Sequence, residues 1–177
     1  HASDDNFFEF NERINFDYKI SSNHNFNLNV LFNYAHEQPK DDLASKHAGF
    51  EVAGFPRKKT SIVSGLTYES KLFSRKLTNM LSAKHYYLNS KIDDLTSYEI
   101  STPPKQKENT ASQFGWIEAL KYEPFNGFHL KASYQRAIRL PNSKELFGDG
   151  IITFPAAGLK PEKSHNFNLG FLIDKNN

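Results

Sequence analysis

Cysteine is absent from the 177 residues, and methionine and tryptophan occur once each. A chain without thiols has no disulfide framework, which fits passage through an oxidising envelope without requiring it. No apolar run approaches the roughly 18–20 residues that a membrane helix needs. Lys and Arg total 22 against 20 Asp and Glu, and the two signs are interspersed. That leaves no basic stripe of the kind that marks a nucleic-acid-binding protein. A signal peptide and an initiator Met are both missing, and the opening His1-Ala2-Ser3 reads as a cut inside a longer protein. Beyond a general excess of Asn there is no tandem repeat or low-complexity tract.

Aromatics are plentiful, with sixteen Phe and eight Tyr. Hydrophobic residues make up only 38% of the chain and its mean hydropathy is negative, low for a well-buried globular core. Polar on average yet rich in aromatics, the chain fits a transmembrane β-barrel, whose strands face lipid with every second residue. An exposed soluble β-domain fits the same composition.

Apolar residues recur at a spacing of two. Ile14, Phe16, Tyr18 and Ile20 make one strand face, Ser21–Asn25 a short turn, and Phe26, Leu28, Val30, Phe32 and Tyr34 the cleanest alternation, opposed by Asn27, Asn29 and Asn33. Ala35–Pro56 reads as a long polar connection, followed by a strand near Thr60–Glu69. A short link around Ser70–Arg75 leads to a strand near Lys76–Leu88, whose period is blurred because Leu77, Leu81 and Ala83 compete with Met80 and Tyr86. Asn89–Ala111 reads as a second long connection, made irregular by Pro103-Pro104. Phe114, Trp116, Leu120 and Tyr122 mark the next strand, interrupted by Glu118. The tight turn Glu123–Gly127, a strand carrying Phe128, Leu130, Ala132 and Tyr134, a third long connection Leu140–Lys163 and a last strand complete the pattern.

Short and long connections thus alternate strictly, the arrangement of outer-membrane barrels with tight turns at one end and long loops at the other. Tyr68, Tyr122 and Phe125 flank short turns, where an interfacial aromatic girdle lies. The expected fold is all-β: an antiparallel transmembrane β-barrel segment of about seven meandering strands. So few strands leave edges that hydrocarbon does not tolerate, so the segment is expected to be a fragment of a larger barrel.

Catalysis is not expected. The seven His are dispersed, and none stands at triad or ligand spacing from a nucleophile or a second ligand. His36, Asp41, Asp42 and His47 share one polar loop, but solvated loop polarity explains them better than a metal site. No metal and no cofactor is expected.

The last quarter of the chain is the most distinctive. The strand ending Arg139-Leu140-Pro141 leads into Glu145-Leu146-Phe147-Gly148, a Gly-rich loop, and Leu159-Lys160-Pro161-Glu162 followed by Ser164, Asn166 and Gly170. Pro141 cannot donate to a ladder, and Pro161 fixes φ ahead of the next strand. This order resembles the C-terminal half of TonB-dependent outer-membrane receptors, of the siderophore-receptor type, in which an Arg-x-Pro box precedes an ELFG segment and an LKPE-x-S-x-N box. Two departures are Ala156-Ala157-Gly158, where that family usually has Asn-Pro-Asp or Asn-Pro-Asn, and Asn168 in place of an acid.

The resemblance implies a receptor in the outer membrane of a Gram-negative bacterium, embedded in its lipid. It would carry out TonB-energised uptake of a small nutrient, most often a ferric siderophore. Residues 1–177 would supply part of the barrel wall and its loops, while the plug domain, through which TonB acts, lies outside them. Haem is disfavoured because Asn142–Gly158 has no His. Arg139 is expected to organise the rim by bonding loop carbonyls or a carboxylate such as Glu145 or Glu162. Ligand contacts are expected from loop aromatics and cations: Phe50, Phe55, Arg57, Lys58 and Lys59, then Tyr98, Lys105 and Lys107, then Phe154. Those cations suit an anionic iron chelate. The alternative is a soluble or surface β-domain that binds glycan or protein ligands, in which both strand faces would be packed. Asn27, Asn29, Asn33, Lys131, Ser133 and Gln135 favour a polar lumen instead.

Overall fold

A computed structural model describes residues 6–38, 56–94, 105–147, 156 and 158–174, without the side chains of 93, 94, 105 and 106. Seven strands run β1 (Asn6–Ser21), β2 (His24–Gln38), β3 (Arg57–Leu72), β4 (Leu77–Asp94), β5 (Lys105–Phe125), β6 (Phe128–Arg139) and β7 (Glu162–Ile173). A one-turn helix, α1 (Ser143–Phe147), lies between β6 and β7. All strands join one antiparallel sheet in sequence order, so every connection is a hairpin. Among the described residues β1 and β7 pair on one side only.

The register separates two faces. Phe16, Leu28, Leu66, Ala83 and Trp116 lie in one cross-strand row, and Tyr18, Phe26, Tyr68 and Leu81 in the next. This apolar face is bare: Ile14, Phe16, Phe114, Phe167, Leu169 and Phe171 are all exposed. The opposite face carries Asn27, Asn29 and Asn33, paired with polar residues of β1, and Lys131, Ser133 and Gln135, paired with polar or small residues of β7. Asn27 donates to Asp17 at 2.8 Å, Asn29 to Asn15, and Asn33 to Asn11 at 2.7 Å. A cavity of about 480 Å³ is lined on this polar face by Glu69 of β3, Met80 of β4, Lys121 of β5, Lys131 of β6 and Asn168 of β7. One hollow shared by five strands means that the sheet curves toward the polar face. A soluble sandwich would pack both faces, and this sheet leaves its apolar face bare.

Three connections differ from the sequence expectation. Residues 89–94 and 105–111 are not loop but the ends of β4 and β5, paired from Asn89↔Thr110 to Asp94↔Lys105. Likewise β2 runs to Gln38 and β3 starts at Arg57, so Arg57, Lys58, Lys105 and Lys107 are strand residues. A wall strand that rises beyond an apolar layer has no reason to keep its period, while the backbone ladder continues regardless of side chain. The third long connection, expected as loop throughout, holds α1, and Glu162 and Lys163 belong to β7. The blurred period of β4 has a simple origin: Leu77, Leu81 and Ala83 lie on the apolar face, whereas Met80, Tyr86, Leu88 and Ile92 lie on the polar one. Glu118, on the apolar face, accepts a 2.6 Å bond from Asn79 on β4.

The short turns Ser22-Asn23, Phe73–Lys76 and Asn126-Gly127 all lie at one end of the sheet. Each is tied to the next hairpin, by Lys71 N–H to Asn23 O, Glu123 N–H to Lys76 O and Asp174 N–H to Gly127 O, at 2.7–2.8 Å. The aromatics expected beside them cluster on the apolar face, where Phe26 packs on Tyr68 and Phe125 on Phe128. Gly127 has φ +78°, and a Cβ there would stand 2.5 Å from Asp174 O. Gly127→Ala therefore combines an unfavourable left-handed residue with a backbone clash, at a cost of about 1–3 kcal/mol. Chemical unfolding in detergent should show the lowered midpoint, and an unchanged midpoint would contradict this turn geometry.

Candidate functional site

The long-connection end of the sheet is organised around Arg139. Pairing of β6 ends there because Pro141 has no N–H to offer. The chain turns at Asn142, whose side-chain oxygen accepts from Glu145 N–H at 2.9 Å, while the Glu145 carboxylate accepts from Asn142 N–H at 2.8 Å. This reciprocal pair is a capping box, with Asn142 as the cap of α1 and Glu145 three residues on. Asn142-x-x-Glu145 is the local signal in the sequence that marks this helix start.

Arg139 then joins three segments. Its Nε and Nη2 donate to Glu162 at 2.9 and 2.7 Å, a bidentate fork onto the first residue of β7. Its Nη1 donates to both Glu145 oxygens at 2.9 and 3.0 Å. The guanidinium is thus occupied by two carboxylates and has little donor capacity left for a ligand. Bonding to Asn142 N–H, then the Arg139 guanidinium, holds the Glu145 carboxyl below the usual carboxylate range. Pro141, Leu159 and Lys160 flank the three charged residues in a small cleft of about 120 Å³.

What the clamp positions is an apolar plug of two residues. Leu146 and Phe147 are buried on the polar face against Ala35, Leu88 and Ile92, with Ala111 and Leu140 packed around them. Phe147 O accepts from Arg57 Nη1 at 2.7 Å, and the same nitrogen lies 3.4 Å from Glu37. On the far side Ala156 N–H donates to Leu146 O, and Asn109 Nδ2 donates to Leu159 O. Arg57 therefore secures α1 to β2 and β3, a role invisible in its own surroundings in the sequence. Leu88 and Ile92, which sequence reasoning did not single out, form the seat.

Of the other expected contacts, Lys58 lies on the apolar side of the sheet, in register with His36 and Lys91. Lys59 is buried on the polar side. Lys105 begins β5 opposite Asp94, and Lys107 follows on the polar side. Phe50, Phe55, Tyr98, Gly148 and Phe154 lie outside the described residues, as do Asp41, Asp42 and His47. The structure brings Arg139, Glu145, Leu146, Phe147, Pro141, Leu159, Lys160 and Glu162 together, with Pro161 leading into β7.

Among the described residues no group of three or more His, Cys, Asp or Glu could hold a metal. The histidines are scattered in space as in sequence: His24 bonds Tyr68, His85 bonds Ser112 and His165 bonds Tyr134.

A family model described as TonB dependent receptor-like, beta-barrel matches residues 87–177, just over half of the chain. No curated protein and no solved structure matches.

The depressed carboxyl of Glu145 sets a sign for the pH response. A carboxylate whose folded pKa is lowered stabilises above its unfolded value, about 4.3, and that contribution disappears as pH falls through the folded value. Protection factors against hydrogen exchange at residues 142–147, which allow for the intrinsic pH dependence of exchange, should stay high from neutral pH to that range and fall below it. Glu145→Gln should show low protection at every pH. Equal protection in the two proteins at neutral pH would remove the clamp from the account.

Proposed function

This chain belongs to the TonB-dependent receptor β-barrel family, an outer-membrane receptor and transporter family of Gram-negative bacteria, and from that premise we propose that it serves uptake of an anionic ferric chelate of the siderophore class. The observation that carries the proposal is the charge at the long-connection end. Arg57, Lys58, Lys59, Lys91, Lys105, Lys107, Arg139, Lys144, Lys160 and Lys163 stand there against Glu9, Glu37, Asp93, Asp94, Glu108, Glu145 and Glu162. Five of those acids already have partners: Glu9 accepts from Asn33, Glu37 lies beside Arg57, Glu108 accepts from Asn89, and Glu145 and Glu162 hold Arg139. The remaining positive field favours capture of an anion.

In this reading the apolar face meets lipid, the polar face lines the lumen, and the long connections face the outside. They capture the chelate by binding, without chemical conversion. A plug domain beyond residues 1–177 closes the lumen and is remodelled by the energised TonB complex. Further strands close the edges left by β1 and β7, because unpaired N–H and C=O groups are costly in hydrocarbon. Phe55, Tyr98, Lys105, Lys107 and Phe154 remain our candidates for ligand contact.

The test is uptake of labelled ferric siderophores by cells that rely on this receptor, with and without a functional TonB. TonB-dependent accumulation is expected. Lys105→Glu with Lys107→Glu should weaken capture by roughly tenfold, through the lost field at the mouth. TonB-dependent uptake of an iron-free nutrient, with no ferric chelate accepted, would reject the siderophore class and leave the family assignment standing.

A further inference from the structure

Lys121 of β5 and Lys131 of β6 lie directly opposite each other on the polar face, close to the short turn Asn126-Gly127 that joins their strands. Thr78 and Lys71 continue the row on β4 and β3, and Gly170 lies beside Lys131 on β7. Like charges opposed across a ladder destabilise the pair unless an anion lies between them. Both lysines are exposed, and among the described residues neither has a hydrogen-bond or ion-pair partner. Two acids flank the row, and both are engaged. Glu69 lies 3.3 Å from Lys71. Glu123 accepts from Gly127 N–H at 3.2 Å and lies 3.8 Å from His129.

The pair borders the hollow of about 480 Å³ in the polar face. Ala119, Ser133 and Gly170 form its floor, and their short side chains leave room between the longer Glu69, Met80, Lys121 and Lys131. A Cβ placed on Gly170 meets no atom within 4 Å, so the space above that residue is open. Thr78 brings a hydroxyl to the rim, and Asn168 donates to Ser133 at 3.2 Å, with its carbonyl oxygen and second N–H turned to the hollow's other contents. A concave wall of low dielectric concentrates the field of the two ammonium groups and so concentrates anions. The hollow falls in the range of small-molecule sites, roughly 300–1,000 Å³. Cations, hydroxyls and an amide beside the Met80 thioether and the Ala119 methyl suit an oxygen-rich anion that also carries apolar surface.

We propose that this hollow is a transit site for the anionic chelate on the short-turn half of the lumen wall, occupied after the chelate leaves the mouth and before its release. Lys121 and Lys131 hold its peripheral anionic oxygens, Thr78 and Asn168 add hydrogen bonds, and Gly170 keeps the floor open. The site acts on the rate of passage and not on capture, because it is reached only once the plug has been remodelled. The inference rests on the chelate reading above and adds to it a step carried by the wall.

The experiment uses cells carrying the whole receptor and a panel of radiolabelled anionic ferric complexes of carboxylate, catecholate and mixed-ligand type. Surface binding is measured without functional TonB, initial uptake rate with it, and both are scaled to receptor in the outer membrane. Lys121→Gln with Lys131→Gln should lower the uptake rate roughly tenfold and leave surface binding unchanged. Lys121→Arg with Lys131→Arg should keep the rate. Gly170→Leu, whose side chain enters open space, should slow uptake by filling the hollow. Lys84→Gln, three rows nearer the long-connection end on the same face, should not. Unchanged rates in the lysine and Gly170 variants would overturn the site, and so would an equal loss in the Lys84 variant or a parallel loss of surface binding. Raised entry of vancomycin at an unchanged uptake rate would show that the lysines hold the plug, which also overturns it. Accumulation of no ferric complex by the unmodified receptor would reject the chelate reading itself. Where the double lysine variant does not fold, Gly170→Leu decides.

Discussion

Backbone hydrogen bonding against hydrocarbon is the constraint on which everything else here depends. A peptide group facing lipid has no water to turn to, so each N–H and C=O must meet a neighbouring strand. The unbroken registers of β2 with β3, β3 with β4 and β4 with β5 answer that demand. Proline is confined accordingly. Pro124 sits at the register shift between Tyr122 and Phe125, and Pro141 and Pro161 stand outside the ends of β6 and β7. Once the ladder is continuous, side chains alternate strictly, and one face can be surrendered to lipid while the other carries Asn, Ser, Lys and Glu.

Where the ladder stops, other interactions take over, and they differ at the two ends. At the short-turn end backbone bonds suffice, because each turn passes a hydrogen bond to the next hairpin. At the long-connection end β6 and β7 are separated by more than a hairpin's length of chain, and Arg139 joins β6, α1 and β7 through two carboxylates. Leu146 and Phe147 then close a small apolar core over Leu88 and Ile92. The family motif is accordingly a device for returning the chain to the wall. Its charges are consumed by one another, which leaves ligand capture to other residues.

The two faces also meet different solvents along their height. Below, the outer face carries aromatics and aliphatics; above, it carries hydroxyls and then Lys58 and Lys91. On the inner face the same lengths of β3 and β4 hold Arg57, Lys59, Leu88 and Ile92, which are committed to seating α1 or buried beside it. A single strand therefore serves lipid, lumen and rim with alternate residues, and neighbours such as Lys58 and Lys59 have opposite surroundings.

Much of this was legible in the amino-acid order. Period-two alternation from Phe26 to Tyr34, turn residues at Asn126-Gly127 and the stop at Pro141 are local signals, and they determine that the chain makes hairpins with one apolar face. The Arg139–Glu162 spacing carries the family resemblance in the same way. Tertiary structure alone decided how far the strands extend. Residues 89–94 and 105–111 look like loop because their pairing is between backbones and leaves no trace in side-chain period. The partners of Arg57, the seat of Phe147 and the meeting of Lys58 with Lys91 were decided there too, because each joins residues far apart in the chain through a cross-strand register that only the assembled sheet sets.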